Sequence, residues 1–458
     1  MKRFTALFLT LLFASYGYTQ SVFSKKYSPQ QLKQDLDFLK QQLFNAHADP
    51  FTELSKTKYE NLFDSIGSKI TDSADITTFY KLIKPVFANL SDEHSAISID
   101  TTQLNNTYKN GAVFLPFTLV KQGNGFLIDH ILSANSGLIK GEVITQVNNI
   151  PIAQLIQRCS LYITGFPDQR MNNALEQFGY LYGWSTVGNA DHFNIKTFSG
   201  KVIKVDGINL NTWLNYLAAK NGNQQPCTQR IAYTRFNDAG YINSCTFTTH
   251  GDKDFNVLQN QVDSIFKIVK ADHLKSLFID VSKNSGGNSS VGDVLIGYIY
   301  SKPYLTYQCN WRRSDEYLGL IKSWGINDSA YTQKPVGSII HFDSDQSYPP
   351  QDNPNRFNGK VYIIVGDGTF SSAMMFATII KDNHIAELIG QTPQNGHPDH
   401  FGELYNSQLP NTKLKYRFGV KEWIRPAGKL SDNYLRPDVI VDADKYANIG
   451  DLIKAVAK

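Results

Sequence analysis

The sequence predicts an α/β fold with a helical N-terminal region and a β-rich middle, on three observations. From residue 253 onward helical periodicity alternates with short apolar runs, the pattern of a largely parallel sheet. Residues 28–90 carry apolar stripes at spacings of three and four. Residues 112–215 change to short strands separated by glycine and asparagine turns. The chain has 458 residues, 41% hydrophobic and 19% charged, enough for two to four domains and unlike a disordered, collagenous or coiled-coil chain. Its formal net charge of +4 comes from interspersed charges and gives no electrostatic footprint for nucleic acid.

Taken in order, Lys2 and Arg3 precede an apolar run from Phe4 to Ala14, with Ser15, Gly17 and Thr19 after it. This reads as a secretory signal peptide cleaved near Thr19 or Gln20, too short to span a bilayer, and predicts a periplasmic or secreted protein without stable membrane insertion. Four cysteines, Cys159, Cys227, Cys245 and Cys309, show no CxxC spacing and can pair in an oxidising compartment. Ser28-Pro29 starts a helix whose face carries Leu32, Leu36, Leu39 and Leu43. A second helix carries Tyr59, Phe63 and Ile66, and a third starts at Asp75 with a kink expected at Pro85. Strands 117–121 and 126–131 flank a Gly123-Asn124-Gly125 turn. Residues 137–156 give a turn, a strand, an Asn148-Asn149 turn and a helix from Pro151, and 229–250 form a hairpin around Ala239-Gly240. A helix through Leu258, Val262 and Val269 leads to the buried strand 277–281, a glycine turn and a helix over 291–300. Residues 310–360 read as irregular cover, and strand 361–365 turns into a helix near Ser371. The expected boundaries are 1–20 for the signal, 21–110 helical, 111–228 β-rich and 229–458 the α/β core.

Chemistry is expected at two strand–turn–helix junctions, 278–290 and 365–377, because parallel sheets present ligands at strand carboxyl ends and helix starts offer free N–H groups. A serine there, Ser371 or Ser372, either caps its helix or stands open as a nucleophile. Gly286 and Gly287 let a backbone approach closely and present N–H groups to an oxyanion. No Gly-Lys-Ser/Thr phosphate loop and no GxSxG follow. Asp92-Glu93-His94-Ser95 supplies a histidine, the usual base for a serine. His397-Pro398-Asp399-His400 lacks a helical HExxH frame and reads as a polar loop, so no metal and no organic cofactor are expected.

In this order the segments DEHSAISI, LFIDVSKNSGGN, the TFSSA block with its trailing IGQTP, and RPDVIV resemble the C-terminal-processing (tail-specific) serine peptidase family, on its tricorn-core-like branch. GLIKGEVITQVNNIPI resembles half of that family's PDZ-like module. The resemblance implies a ClpP/crotonase-like core with an N-terminal helical domain and a PDZ-like insert, acting on polypeptides. It implies Ser371 as nucleophile, His94 as base, and Gly286, Gly287 and Ser372 as oxyanion donors. The lysine of the other branch would fall at Gln394-Asn395-Gly396, where none stands; Lys381 comes too early and Lys413 and Lys415 too late. A Ser-His pair held by a carboxylate follows, with Asp432 as that carboxylate and Glu403 and Glu422 as rivals. Glu93 stands where the family usually has glycine, Ser282-Lys283 replace a Leu-Arg-like continuation, and Met374 stands where an acidic residue is frequent. The competing expectation is an inactive peptide- or small-ligand-binding protein on the same fold.

Overall fold

The computed structural model describes residues 25–456 apart from 100–113, 135, 186–191, 223–226, 324, 326, 344–351, 442–445 and 447; the expected signal segment lies outside the described residues. The N-terminal helices form where their caps predict. Ser28 accepts from the Gln31 N–H while the Gln31 side chain accepts from Ser28, a reciprocal cap for the helix Pro29–Ala46. Asp75 caps the helix Ile76–Ala88, which continues through Pro85. The leucine stripe does not close a core within the helices alone. It packs into one cluster with Tyr405, Tyr416, Phe418 and Val420, far along the chain.

Those partners belong to an antiparallel sheet in the order Ile339–Phe342, Gln308–Arg312, Lys415–Ile424, His400–Gln408. Part of the region read as irregular cover is therefore regular, with Trp311 and Ile340 buried against the helical region. The short strand Ala96–Ser98 pairs antiparallel with Lys415–Arg417, which carries the end of the helical region onto the α/β core.

The core's main sheet runs in the order Ile231–Phe236, Ala239–Ser244, Ser276–Asp280, Lys360–Val365, Glu387–Gly390, Val439–Ile440, antiparallel between the first two strands and parallel thereafter. Leu258, Val262 and Phe266, Leu295 and Ile296, and Phe376 and Ile380, from three helices, fill one of its sides. Leu452 and Ile453 of the C-terminal helix cover the other. The hairpin's turn residues are Asn237 and Asp238 rather than Ala239-Gly240: Asn237 takes φ +55, which asparagine tolerates. Cys227 and Cys245 form a disulfide at the open end of this hairpin, while Cys159 and Cys309 are buried thiols.

Residues 114–206 build a third core around Phe117, Leu119, Ile128, Leu155 and Phe178. It joins the hairpin Phe117–Gln122/Gly125–Ile131 to a four-stranded sheet and the helices Ile152–Ser160, Pro167–Glu176 and Phe178–Ser185. Pro167–Glu176 lies against the strand Phe117–Gln122. Among the described residues, no helix is long and apolar enough to cross a membrane.

Candidate active site

The strand Lys360–Val365 leaves the sheet through Gly366-Asp367-Gly368 and enters the helix Ser372–Asp382 at Ser371. The turn is tightly fixed. Thr369, fully buried, donates its hydroxyl to Val281 O (2.8 Å) and accepts from the Gly366 N–H (3.1 Å). Ser371 occupies the N-cap position, yet its side chain caps nothing, so the capping account of this serine fails. Its backbone sits at φ +52, ψ −125, a region that non-glycine residues seldom occupy and that costs about 1–3 kcal/mol. A strained turn of this kind lifts a hydroxyl out of the strand-to-helix junction, here without the GxSxG sequence.

The glycine turn lies directly against it. A Cβ on Gly286 would stand 2.8 Å from Ser371 Cβ and 2.9 Å from Ser372 N. The two glycines have different tasks. The Gly286 N–H donates to Asn284 Oδ1 (2.8 Å), and its carbonyl accepts from the Phe247 N–H (3.1 Å). Gly287 forms a parallel bridge with Phe247, in which the flanking groups pair and the central residue's own N–H and C=O face the other way. That carbonyl accepts from Ser372 Oγ (2.7 Å), so Gly287 faces the start of the helix Ser372–Asp382. Among the described residues neither the Gly287 N–H nor the Ser372 N–H is taken, whereas the Gly286 N–H is. Of the N–H groups expected to receive an oxyanion, the turn thus leaves those of Gly287 and Ser372 open and occupies that of Gly286. Asn284, whose role sequence reasoning missed, holds this turn: fully buried, it also donates Nδ2 to Ser244 O (2.8 Å) and accepts from the Phe370 N–H (3.0 Å). An asparagine just ahead of a glycine pair was the available signal.

His94 reaches this place because Ala96–Ser98 joins the second sheet. Arg417 Nε donates to His94 O (3.1 Å), and the His94 N–H donates to Asp92 Oδ1 (2.8 Å). The imidazole stacks on Phe370, the residue before Ser371, with centroids 4.8 Å apart. Its Nδ1 is buried and has no hydrogen-bond partner. Asp432 does not meet it. That carboxylate is half exposed, paired with Arg436 Nε (2.5 Å) and accepting from the Tyr434 N–H. The rivals Glu403 and Glu422 pair with Lys421 and Lys429.

The carboxylate that does organise this segment is Asp92. Fully buried, it accepts from His47 Nε2 (3.2 Å), Ser95 Oγ (2.5 Å) and the Gly419 N–H (3.1 Å). Burial alone would push its carboxyl up; the His47 hydrogen bond and charge, with help from His94 and Ser95, outweigh it and hold the group well below the usual carboxylate range. Because the folded value is depressed, its contribution is complete above the unfolded value of about 3.9 and is lost as pH falls below that. Urea midpoints measured from pH 6 to pH 3 should therefore drop steeply below about pH 4, and Asp92→Asn should flatten that drop.

The histidine pair read as part of a polar loop is buried. His397 Nδ1 pairs with Glu93, which also accepts from Gln169 Nε2 (2.8 Å). His400 turns Nδ1 toward the carbonyls of His397 (3.2 Å) and Pro398 (2.9 Å), and lies 5.6 Å from the His94 ring. Burial first, and then the charge of His94, lower it to about 4, so it stays neutral at physiological pH.

A strained, uncapped serine at a strand–helix junction, beside two N–H groups without partners among the described residues and next to Phe370, on which His94 stacks, is an arrangement able to carry serine-nucleophile chemistry. Residues 238–441 match the model of peptidase family S41. No curated protein matches the chain. Among solved structures, mature CPAF complexed with lactacystin is 14% identical over 90% of this chain and 94% of that one, with a TM-score of 0.54. A point mutant of CPAF is 15% identical over 91% and 94%, with a TM-score of 0.55. These likenesses are of fold.

Proposed function

We propose that the chain is an exported serine endopeptidase acting on C-terminal or unfolded segments of polypeptides. Ser371 Oγ attacks the peptide carbonyl and His94 takes its proton, then returns it to the leaving amine. The N–H groups of Gly287 and Ser372 receive the oxyanion. The observation that carries this reading is the strained, uncapped Ser371 beside those two free donors. The region 111–228 is read as a PDZ-like module and 229–458 as a ClpP/crotonase-like core. A cleft of about 270 Å³ supports a substrate path between them, lined by the consecutive strand residues Leu119, Val120 and Lys121 and, on the core side, by Asp367, Gln394 and Asn395. Three consecutive residues line a cleft where a strand presents its edge, and an edge accepts an extended chain as an added strand.

One observation favours the competing reading, a peptide-binding protein whose catalytic groups are unused: among the described residues no hydrogen bond joins Ser371 to His94. Catalytic hydrogen bonds are often long until substrate is bound. The deciding experiment incubates the purified protein with a fluorophosphonate probe and, separately, with a denatured protein substrate. The peptidase reading expects an adduct mapped to Ser371 and new peptide termini; a well-folded protein that gives neither is a binder, and ester turnover alone marks another hydrolase.

A further inference from the structure

We propose that the buried Glu93–His397 pair is the device that positions the His94 imidazole against the nucleophile turn, acting through the backbone where no carboxylate acts at Nδ1. The inference rests on the peptidase reading above and names two positioning residues for it.

A catalytic imidazole is ordinarily oriented by an acceptor on its second nitrogen. Here Nδ1 is sealed from solvent and unpartnered, and Asp432 is engaged at the surface with Arg436. The ring must be held by other means. Its backbone is fixed on both sides, by Asp92 at the N–H and Arg417 at the C=O. The adjacent side chain supplies the third hold. The Glu93 side chain is 4% exposed, and a carboxylate that deep is costly unless it is fully paired. It is paired twice, by His397 from the core and by Gln169 from the helix Pro167–Glu176.

The contacts then close on themselves. His397 is wedged between the rings of Phe166 (4.2 Å) and Tyr434 (4.9 Å). Gly396, next to it, lies on the residues flanking the nucleophile: a Cβ there would be 2.9 Å from the Phe370 ring and 3.2 Å from Met374 Cε. Phe370 in turn stacks on His94. Glu93, His397, Gly396, Phe370 and His94 thus form a ring of contacts whose two ends, the imidazole and the turn bearing Ser371, are the groups that have to meet. Glu93 is also one of the positions where the sequence departs from the glycine of the family it resembles. The partner explains the departure: a carboxylate in place of glycine is useful only with a donor such as His397 opposite.

The test measures the fluorophosphonate acylation rate, kcat and KM for Glu93→Ala, His397→Ala, Glu93→Gln, His397→Gln and Asp432→Asn, with unfolding curves for each. The alanine variants should lose about 100-fold in acylation and kcat with KM within about threefold, since the substrate does not touch this pair. The double alanine variant should be no slower than either single one, because the pair acts as a unit. The glutamine variants, which keep a hydrogen bond across the gap, should recover at least about tenfold, a rescue that a loss of general stability would not show. Alanine variants that react at the wild-type rate overturn the proposal, and so does Asp432→Asn falling as far as Glu93→Ala. A crystal structure of Glu93→Gln and Glu93→Ala decides the inference without turnover, even if the wild-type protein proves unreactive and the peptidase reading fails: an imidazole displaced from Phe370 in the alanine variant alone supports it, and an undisturbed stack in both overturns it.

Discussion

Ser371→Ala is expected to abolish fluorophosphonate labelling and to lower peptide hydrolysis by a factor on the order of 10⁴–10⁶, with the fold intact. Loss of the nucleophile leaves the two N–H donors and the substrate path in place, so substrate binding should survive. Ser372→Ala is the informative contrast. Ser372 contributes its N–H to the proposed oxyanion site and its hydroxyl only to Gly287 O, so the alanine variant should still label at Ser371. A third substitution reads the strain. At φ +52, ψ −125 an alanine is no better placed than serine, whereas glycine is at ease. Ser371→Gly should therefore be inactive yet more stable than Ser371→Ala by about 1 kcal/mol, seen as a higher urea midpoint at unchanged slope. Labelling that persists in Ser371→Ala, or an adduct that maps to Ser372, would remove Ser371 from the mechanism.

The parts of this site that sequence shows are those written in local punctuation. The strand 361–365, the Gly366-Asp367-Gly368 turn and the helix after Ser371 form one contiguous signal, and the Gly286-Gly287 pair after a buried strand is another. Local pattern even placed the N-terminal ends of the first and third helices, at Ser28 and Asp75. What it could not show is non-local. Gln308–Arg312 and Ile339–Phe342 alternate buried and exposed residues so briefly, among so many turn residues, that they pass for loop until Lys415–Ile424 lies beside them. That the Gly287 N–H stays open while the Gly286 N–H is taken depends on which of them Asn284 occupies, a fact of three-dimensional hydrogen bonding. The place of Asp432 was carried by motif order, and order does not say that Arg436, four residues on, holds that carboxylate at the surface. His397 looked like a solvated loop residue because its partner, Glu93, is 304 positions away.

Gly287→Ala should be a damaging change for a single methyl group added beside Ser371. At φ +140 an L residue is strained whatever surrounds it, and the added Cβ would lie 2.4 Å from Phe247 C and Thr248 N and 2.6 Å from Phe247 O. These are backbone atoms, so no rotamer change relieves the overlap; the bridge to Phe247 must open or the turn must rotate. Either response carries the Gly287 N–H away from Ser372 and breaks the bond between Ser372 Oγ and Gly287 O. Loss of one oxyanion donor typically costs about 10²–10³ in rate, and here the turn that presents it moves as well, so acylation should fall by about 10³ or more. Opening the bridge adds a loss of about 2–3 kcal/mol in stability, from buried backbone groups left without partners. Gly297→Ala supplies the comparison: it lies inside the helix Ser290–Ile299 with open space where a Cβ would go, and alanine there should raise stability by up to about 1 kcal/mol and leave acylation unchanged. If Gly287→Ala acylates within tenfold of wild type while unfolding at the same urea concentration, the donor is elsewhere and the bridge to Phe247 does not set the geometry of this site.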